Sequence, residues 1–349
     1  MATRGKKRVR SHSETDKEHI PFAKRMKIDE EENKYSSYQK IEHDSQSDNE
    51  HDQFPVRKNG RTLHLNVIRG DVANRILSVG DSARAMKISK FFDDPDKVRV
   101  VSSDTMFKVF TGTFKGVPLS IVATGMGYAM IDFVVREIRH VVQGPLAMIR
   151  LGTCGVVHPD YEAGQLLIAT KGSTFIQTNR DEIIKGNVEN AYSFSPPVKA
   201  DIPLSSLMVC NLRNALGNDK VKQVMNCSAD SFYCSEGRID PNFNDLNDTL
   251  IDDLREKFPD VASLEMESFG LLSLATKDMH CSSCAIGLAK DRFCTPTELK
   301  GIENMAGLGI LKTLAAFQFP EGEPDYTDEV GQILQDYADE VDAESSSNE

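Results

Sequence analysis

Two arginines in this sequence stand inside glycine-bearing clusters, Gly80-Asp81-Ser82-Ala83-Arg84 and Arg150-Leu151-Gly152-Thr153-Cys154-Gly155. A third cluster, Thr124-Gly125-Met126-Gly127, carries no charge. Glycine lets backbone N–H groups approach a ligand, and a guanidinium is a forked donor that suits phosphate oxygens. Converging arginines, glycine N–H groups and the Thr153 hydroxyl would bind an anion. The plainer reading of the same residues is tight strand-to-helix turns, with the arginines in surface ion pairs. A fourth segment, Leu264-Glu265-Met266-Glu267-Ser268, puts carboxylates where an apolar helix begins. A carboxylate there can accept hydrogen bonds from two vicinal hydroxyls, such as a ribose offers, or merely answer the helix dipole.

Such clusters need rigid elements behind them. The apolar run Arg75-Ile-Leu-Ser-Val79 stops at Gly80 and predicts a buried strand. Strands are also predicted over 107–113, 117–124, 145–151 (closed by Gly152), 165–170 and 284–289. Met130, Ile131, Val134, Val135, Ile138, Val141 and Val142 recur at helical spacing. Residues 265–275 and 305–317 read as further helices. Strands alternating with helices imply an α/β fold with a central sheet covered by helices. Three of the clusters then lie at the carboxyl ends of strands, where open α/β sheets bind ligands.

These segments, in this order, resemble the nucleoside phosphorylase-I family, and within it the uridine phosphorylases. The resemblance runs from about His64 to Phe317 and leaves out both ends of the chain. It implies a three-layer fold with a mixed, partly barrel-like sheet. It also implies phosphate binding by Gly80, Arg84, Arg150 and Thr153, and ribose binding by Met266 and Glu267. His64 would reach the ribose of a neighbouring subunit, which requires a homodimer or a higher homo-oligomer. The reaction so implied is phosphorolysis of a nucleoside, with phosphate as co-substrate and with no cofactor or metal. Its products would be free base and ribose or deoxyribose 1-phosphate.

The loop Ser228-Ala-Asp-Ser-Phe-Tyr-Cys-Ser-Glu-Gly-Arg-Ile-Asp240 corresponds to the family's base-recognition loop. Phe232 would stack on a pyrimidine and Arg238 would donate to a uracil carbonyl. The family's glutamine is Glu236 here. An amide both donates and accepts, whereas an ionised carboxylate only accepts. Uridine remains the expected substrate, with a purine or another nucleoside as the alternative. A nucleoside-binding or scaffold protein with impaired turnover is the alternative from another class. Arg292 resembles a uracil-side arginine. Asp291 stands where purine nucleoside phosphorylases keep a proton donor, or is an ion-pair partner for Arg84 or Arg292. At Thr105 the family commonly has an arginine given across the dimer to phosphate. Its loss would weaken phosphate binding by roughly 1.5–3 kcal/mol.

Charge separates the chain into three parts. Residues 1–60 carry 13 basic and 12 acidic side chains, and residues 321–349 carry 11 acidic and no basic ones. The rest holds 28 basic and 30 acidic, so most of the net charge of −12 belongs to the tail. A basic surface for nucleic acid is not suggested. No apolar run approaches the ~20 residues needed to cross a bilayer. Seven cysteines at irregular spacing fit reduced thiols in an intracellular, cytoplasmic protein. The pair in His280-Cys281-Ser282-Ser283-Cys284 lacks further ligands at zinc-site spacing. Residues 1–60 are expected to be a disordered charged arm. Their basic clusters, Lys6-Lys7-Arg8-Val9-Arg10 and Lys24-Arg25-Met26-Lys27, would be a nuclear-import signal or merely a solvated arm. Residues 61–319 are expected to be the phosphorylase domain. Residues 320–349 are expected to be an acidic, mostly disordered tail with at most one short helix.

Overall fold

β1 (Arg75–Val79) is buried along its whole length, as a strand flanked by two parallel neighbours should be. This computed structural model describes residues 54–289, 294–323 and 327–346. The expected disorder of residues 1–60 and both basic clusters therefore lie, apart from residues 54–60, outside the described residues.

After β1, Asp81 caps α1 (Ser82–Ser89) by accepting from the Arg84 amide. β2 (Arg99–Ser102), β3 (Lys108–Phe114) and β4 (Val117–Ala123) form an antiparallel run. Gly125 and Gly127 then turn the chain with φ of 74° and 94°, which a side chain would resist. α2 (Tyr128–Val141) buries Ile131, Val134, Val135, Ile138 and Val141, the stripe visible in the sequence. β5 (Leu146–Val156) follows, then β6 (Leu166–Ile168), β7 (Ser173–Thr178), α3 (Arg180–Lys185) and β8 (Tyr192–Phe194). The second half contains α4 (Ile202–Leu216), β9 (Val221–Gln223), β10 (Met225–Ala229) and α5 (Leu250–Lys257). β11 (Val261–Glu265), α6 (Ser268–Ser273) and β12 (Met279–Ala289) come next. α7 (Pro296–Ala316) starts at a reciprocal capping box between Thr295 and Glu298. α8 (Thr327–Ser346) is the last element.

The strands form one mixed sheet, in the order β2-β3-β4-β1-β5-β11-β10-β7-β8. It branches at β5 and does not close. β5 pairs in parallel with β1 on one side and with β12 on the other, and its last residues pair antiparallel with β11. β12 carries β6, and β6 carries β9. Alternate residues of the central strands supply two cores. Leu77, Val79, Ile149 and Leu151 join Ile88, Met208 and Ile310 on one side. Ile76, Leu146 and Met148 join Ile131, Ile138 and Leu271 on the other. Helices thus cover both faces, which gives the three layers expected.

Three features differ from the sequence reading. Gly152 does not close β5, because β12 pairs alongside as far as Gly155 and keeps the glycines extended. β12 likewise starts earlier than expected and takes in the whole cysteine pair, whose thiols burial pushes up to about 12. The acidic tail is the third. Where mostly disorder was expected, α8 runs from Thr327 to Ser346, with Val330 and Leu334 buried in the α2-side core. Ile333 presses on Gly70, where a β-carbon would collide with it. Just before α8, Arg75 donates to Glu323 at 2.9 Å, and His280 meets both Asp201 and Glu321.

Candidate active site

Arg150 is the hub of the site. Its side chain leaves β5 almost fully buried. One terminal nitrogen donates to the Thr124 hydroxyl at 2.6 Å and to Ser78 Oγ at 3.3 Å. The other meets Glu267 Oε2 at 2.9 Å. Nε is buried without a hydrogen-bond partner among the described residues. A buried, unsatisfied guanidinium N–H is costly, and a bound anion would satisfy it. Gly80 and Gly152 flank this guanidinium so closely that a β-carbon on either would stand 3.8 Å from it. The absence of side chains there leaves room for a ligand.

The strand-to-helix loop after β11 supplies the second part. Glu267 accepts from the Gly127 amide while holding Arg150, so the carboxylate ties two of the glycine clusters together. Behind it lies Glu265, wholly buried. Its carboxylate accepts from Ser228 Oγ, from Asn226 Nδ2 at 2.8 Å, and from the Glu267 and Ser268 amides at 3.0 Å each. Burial and the neighbouring Glu267 push the Glu265 carboxyl up, although the Ser228 and Asn226 bonds oppose this.

The loop after β10 forms the third part. Arg238 lies 3.9 Å over the Phe232 ring, donates from Nε to the Phe232 carbonyl at 2.9 Å, and pairs with Glu236 at 2.8 Å. Phe232 as a residue is 45% exposed. Glu236 points inward, its side chain 6% exposed. Burial pushes its carboxyl up to about 7 against the pull of Arg238, with Glu265 and Glu267 adding to the rise. An open cavity of about 1010 Å³ adjoins these parts, walled by Tyr128, Phe175 and Phe269 and rimmed by Gln177, Arg180 and Asp230. Its lining takes in Gly127 and Met266, but not Arg150 or Glu267.

The sequence pattern of the phosphorylase superfamily matches residues 74–293. The chain belongs to the phosphorylase superfamily. It is similar to a solved structure from a study of two uridine phosphorylases of the oomycete Phytophthora capsici. The two share 35% identity and a TM-score of 0.72, over 76% of this chain and 98% of the other. A uridine phosphorylase of Thermococcus kodakarensis is 30% identical over 223 residues, which is 63% of this chain and 74% of that protein. A DeoD-type purine nucleoside phosphorylase of Streptococcus pyogenes is 29% identical over 237 residues, 68% of this chain and 89% of that protein.

Within this superfamily fold, Gly80, Arg150, Met266 and Glu267 come together around Gly127, and Phe232, Glu236 and Arg238 form a second group. Thr153 follows Arg150 on β5, half-buried. Arg84 is less available than expected. Its Nε and one terminal nitrogen hold Glu303 of α7 at 3.0 and 2.9 Å, and the other nitrogen reaches the Leu151 carbonyl at 3.3 Å. One N–H on each terminal nitrogen remains for an anion. His64 packs against α2, its ring stacked 4.0 Å from Phe133 with Nδ1 2.6 Å from Glu137. None of its described contacts is with this chain's Glu267. Thr105 is exposed and holds Ser103. Asp291 and Arg292 fall outside the described residues.

Sequence reasoning missed the polar network of Asn226, Ser228, Ser263 and Glu265, and the aromatic wall of Phe175 and Phe269, whose rings stack at 5.1 Å. A signal for the network was present. β10 places Asn226 and Ser228 two apart, on one face of a strand buried at every position. Polar side chains so placed need a partner, and Glu265 is that partner.

Proposed function

We propose that the protein catalyses the reversible phosphorolysis of uridine, giving uracil and ribose 1-phosphate. One observation carries this reading. A single buried guanidinium, Arg150, grips the carboxylate Glu267 with one arm and holds a buried, unsatisfied N–H beside two glycines. A phosphate on that N–H and a sugar diol on Glu267 would sit side by side. The likeness to uridine phosphorylases supports the base assignment.

In this reading Arg150, Thr153, the Gly80 loop and the spare N–H groups of Arg84 position phosphate beneath the anomeric carbon. Met266 and Glu267 fix the ribose, and His64 of a neighbouring copy completes the sugar site, so the unit is at least a homodimer. Phe232 stacks on the base and Arg238 donates to one of its carbonyls. The glycosidic bond lengthens into an oxocarbenium-like sugar held between two anions, and catalysis comes from positioning and electrostatics. Protein groups suffice for these roles, so no cofactor enters the scheme. Cytoplasmic location and the division at residues 61 and 319 are part of the same proposal.

A second reading, purine nucleoside cleavage, draws on Glu236, which when ionised accepts two N–H donors from a base edge. A nucleoside panel decides between them. The expected result is phosphate-dependent release of uracil from uridine at least about tenfold faster than release of hypoxanthine from inosine, a gap of about 1.4 kcal/mol. Inosine turnover with none for uridine would reverse the assignment. Ligand-induced thermal stabilisation without product would instead indicate a binding protein.

A further inference from the structure

Arg84 and Glu303 form a buried pair between two helices, α1 and α7, that lie far apart in the chain. Glu303 Oε1 accepts from Arg84 Nε at 3.0 Å and lies 2.9 Å from one terminal nitrogen. The other terminal nitrogen donates to the Leu151 carbonyl at 3.3 Å. The peptide bearing that carbonyl leads straight into Gly152, which flanks the unsatisfied Nε of Arg150. The Arg84 guanidinium is thus delivered to the stretch of β5 that borders the anion site, with one N–H on each terminal nitrogen unspent. The backbone supports this placement. Asp81 fixes the start of α1 by accepting from the Arg84 amide at 2.8 Å. One turn further along each helix, Ile88 meets Gly307, where a β-carbon would come within 2.7 Å of it. Glycine there lets α7 approach α1 closely, and Glu303, one turn before Gly307, comes level with Arg84.

We propose that Glu303 is a positioning residue of the phosphate site: it holds the Arg84 guanidinium so that its remaining N–H groups turn to an anion beside Gly152. This rests on the phosphate role of Arg84 given above. Glu303 itself touches no substrate in this arrangement. A free arginine side chain samples many rotamers, whereas one gripped along an edge is fixed before its ligand arrives. Phosphate then meets donors already in place, which is what a reaction that depends on placing its nucleophile requires. The carboxylate also offsets the charge of Arg84, as Glu267 offsets that of Arg150. The site therefore holds its anion through aimed N–H groups rather than through excess positive charge.

Two substitutions separate reach from charge. Glu303→Asp keeps the charge and withdraws the oxygen by one methylene. Glu303→Gln removes the charge and keeps an acceptor oxygen where Oε1 stands. Uracil release from uridine is followed at varied phosphate and at varied uridine, on protein shown by melting to be folded. Glu303→Asp should raise KM for phosphate at least about tenfold, the loss of one charge-assisted contact, with KM for uridine within about twofold of wild type. Glu303→Gln should stay within about threefold of wild type in both. The midpoint for thermal stabilisation by inorganic phosphate alone should follow the same order, and it reads the site without turnover. A purely structural pair would lower melting with no selective change in phosphate KM. An unchanged phosphate KM in Glu303→Asp, or a larger rise in Glu303→Gln than in Glu303→Asp, would overturn the proposal. Arg84→Met tests the underlying reading and should raise phosphate KM more than Glu303→Asp does. If Arg84→Met left it unchanged, the phosphate role of Arg84 itself would fall.

Discussion

Replacing Arg150 with methionine should lower kcat/KM for phosphorolysis by about 10²–10³-fold or more. Breaking a buried pair by removing one partner costs about 3–5 kcal/mol, because the remaining charge stays buried without compensation. That cost falls on stability; the rate loss comes from removing a preorganised donor from the site of developing charge, which costs about 10²–10³-fold in kcat. Here the abandoned charge is Glu267, which also holds the Gly127 amide. The substitution would thus disturb both proposed subsites, and the effects of Arg150→Met and Glu267→Gln should fall well short of additive. Arg150→Lys should keep the charge but lose the fork that reaches Thr124 and Glu267 together, giving an intermediate loss. Steady-state kinetics on protein shown by melting to be folded checks this. An Arg150→Met enzyme within about threefold of wild type would remove Arg150 from the site.

Deleting residues 321–349 should lower the melting temperature while leaving turnover at room temperature largely intact. α8 buries Val330 and Leu334 in the α2-side core, and Glu323 and Glu321 bind Arg75 and His280. Truncating one buried leucine to alanine costs about 2–5 kcal/mol, and Leu334 at the rim of the core belongs near the lower end. Loss of the whole helix should exceed Leu334→Ala and shift melting by at least about 5 °C. Part of the gap should depend on pH. Burial works against a charged His280, but its bonds to Asp201 and Glu321 outweigh this and hold the group above its ordinary value. The stability so gained is complete below the unfolded value of about 6.5 and fades as pH rises through the folded one. The difference in melting between full-length and truncated chains should therefore be larger at about pH 6 than at about pH 8. Equal melting temperatures would mean that α8 does not hold the fold together. None of the described contacts of α8 involves Arg150 or Glu267, which is why activity should survive.

What the sequence disclosed was local. The apolar run of β1, the α2 stripe and the glycine-bearing clusters that follow β1 and β4 depend on neighbours in the chain, and they stand where expected. Gly152 misled because a glycine after an apolar run reads as a stop. Only the partner strand β12, more than a hundred residues away, keeps it extended. Arg84 looked free for phosphate because its partner Glu303 lies on a helix whose packing the sequence does not specify. The acceptor role of Glu265 requires β10 and β11 to lie side by side in one register. The tail misled through composition. Its charge suggested solvation, yet Val330, Ile333, Leu334 and Tyr337 keep the three-and-four spacing of a helix with one apolar face.

The branch at β5 bears on how such an enzyme can diversify. A strand held by three neighbours cannot slip in register against one without breaking its pairing with the others. Arg150, the proposed phosphate ligand, is carried on that strand. The loop bearing Phe232, Glu236 and Arg238 leaves the end of β10, which has two neighbours, and returns only at α5. Insertions and exchanges there leave the branch untouched. The proposed phosphate-binding arginine thus rides on the strand with three partners, and the proposed base-holding loop follows a strand with two.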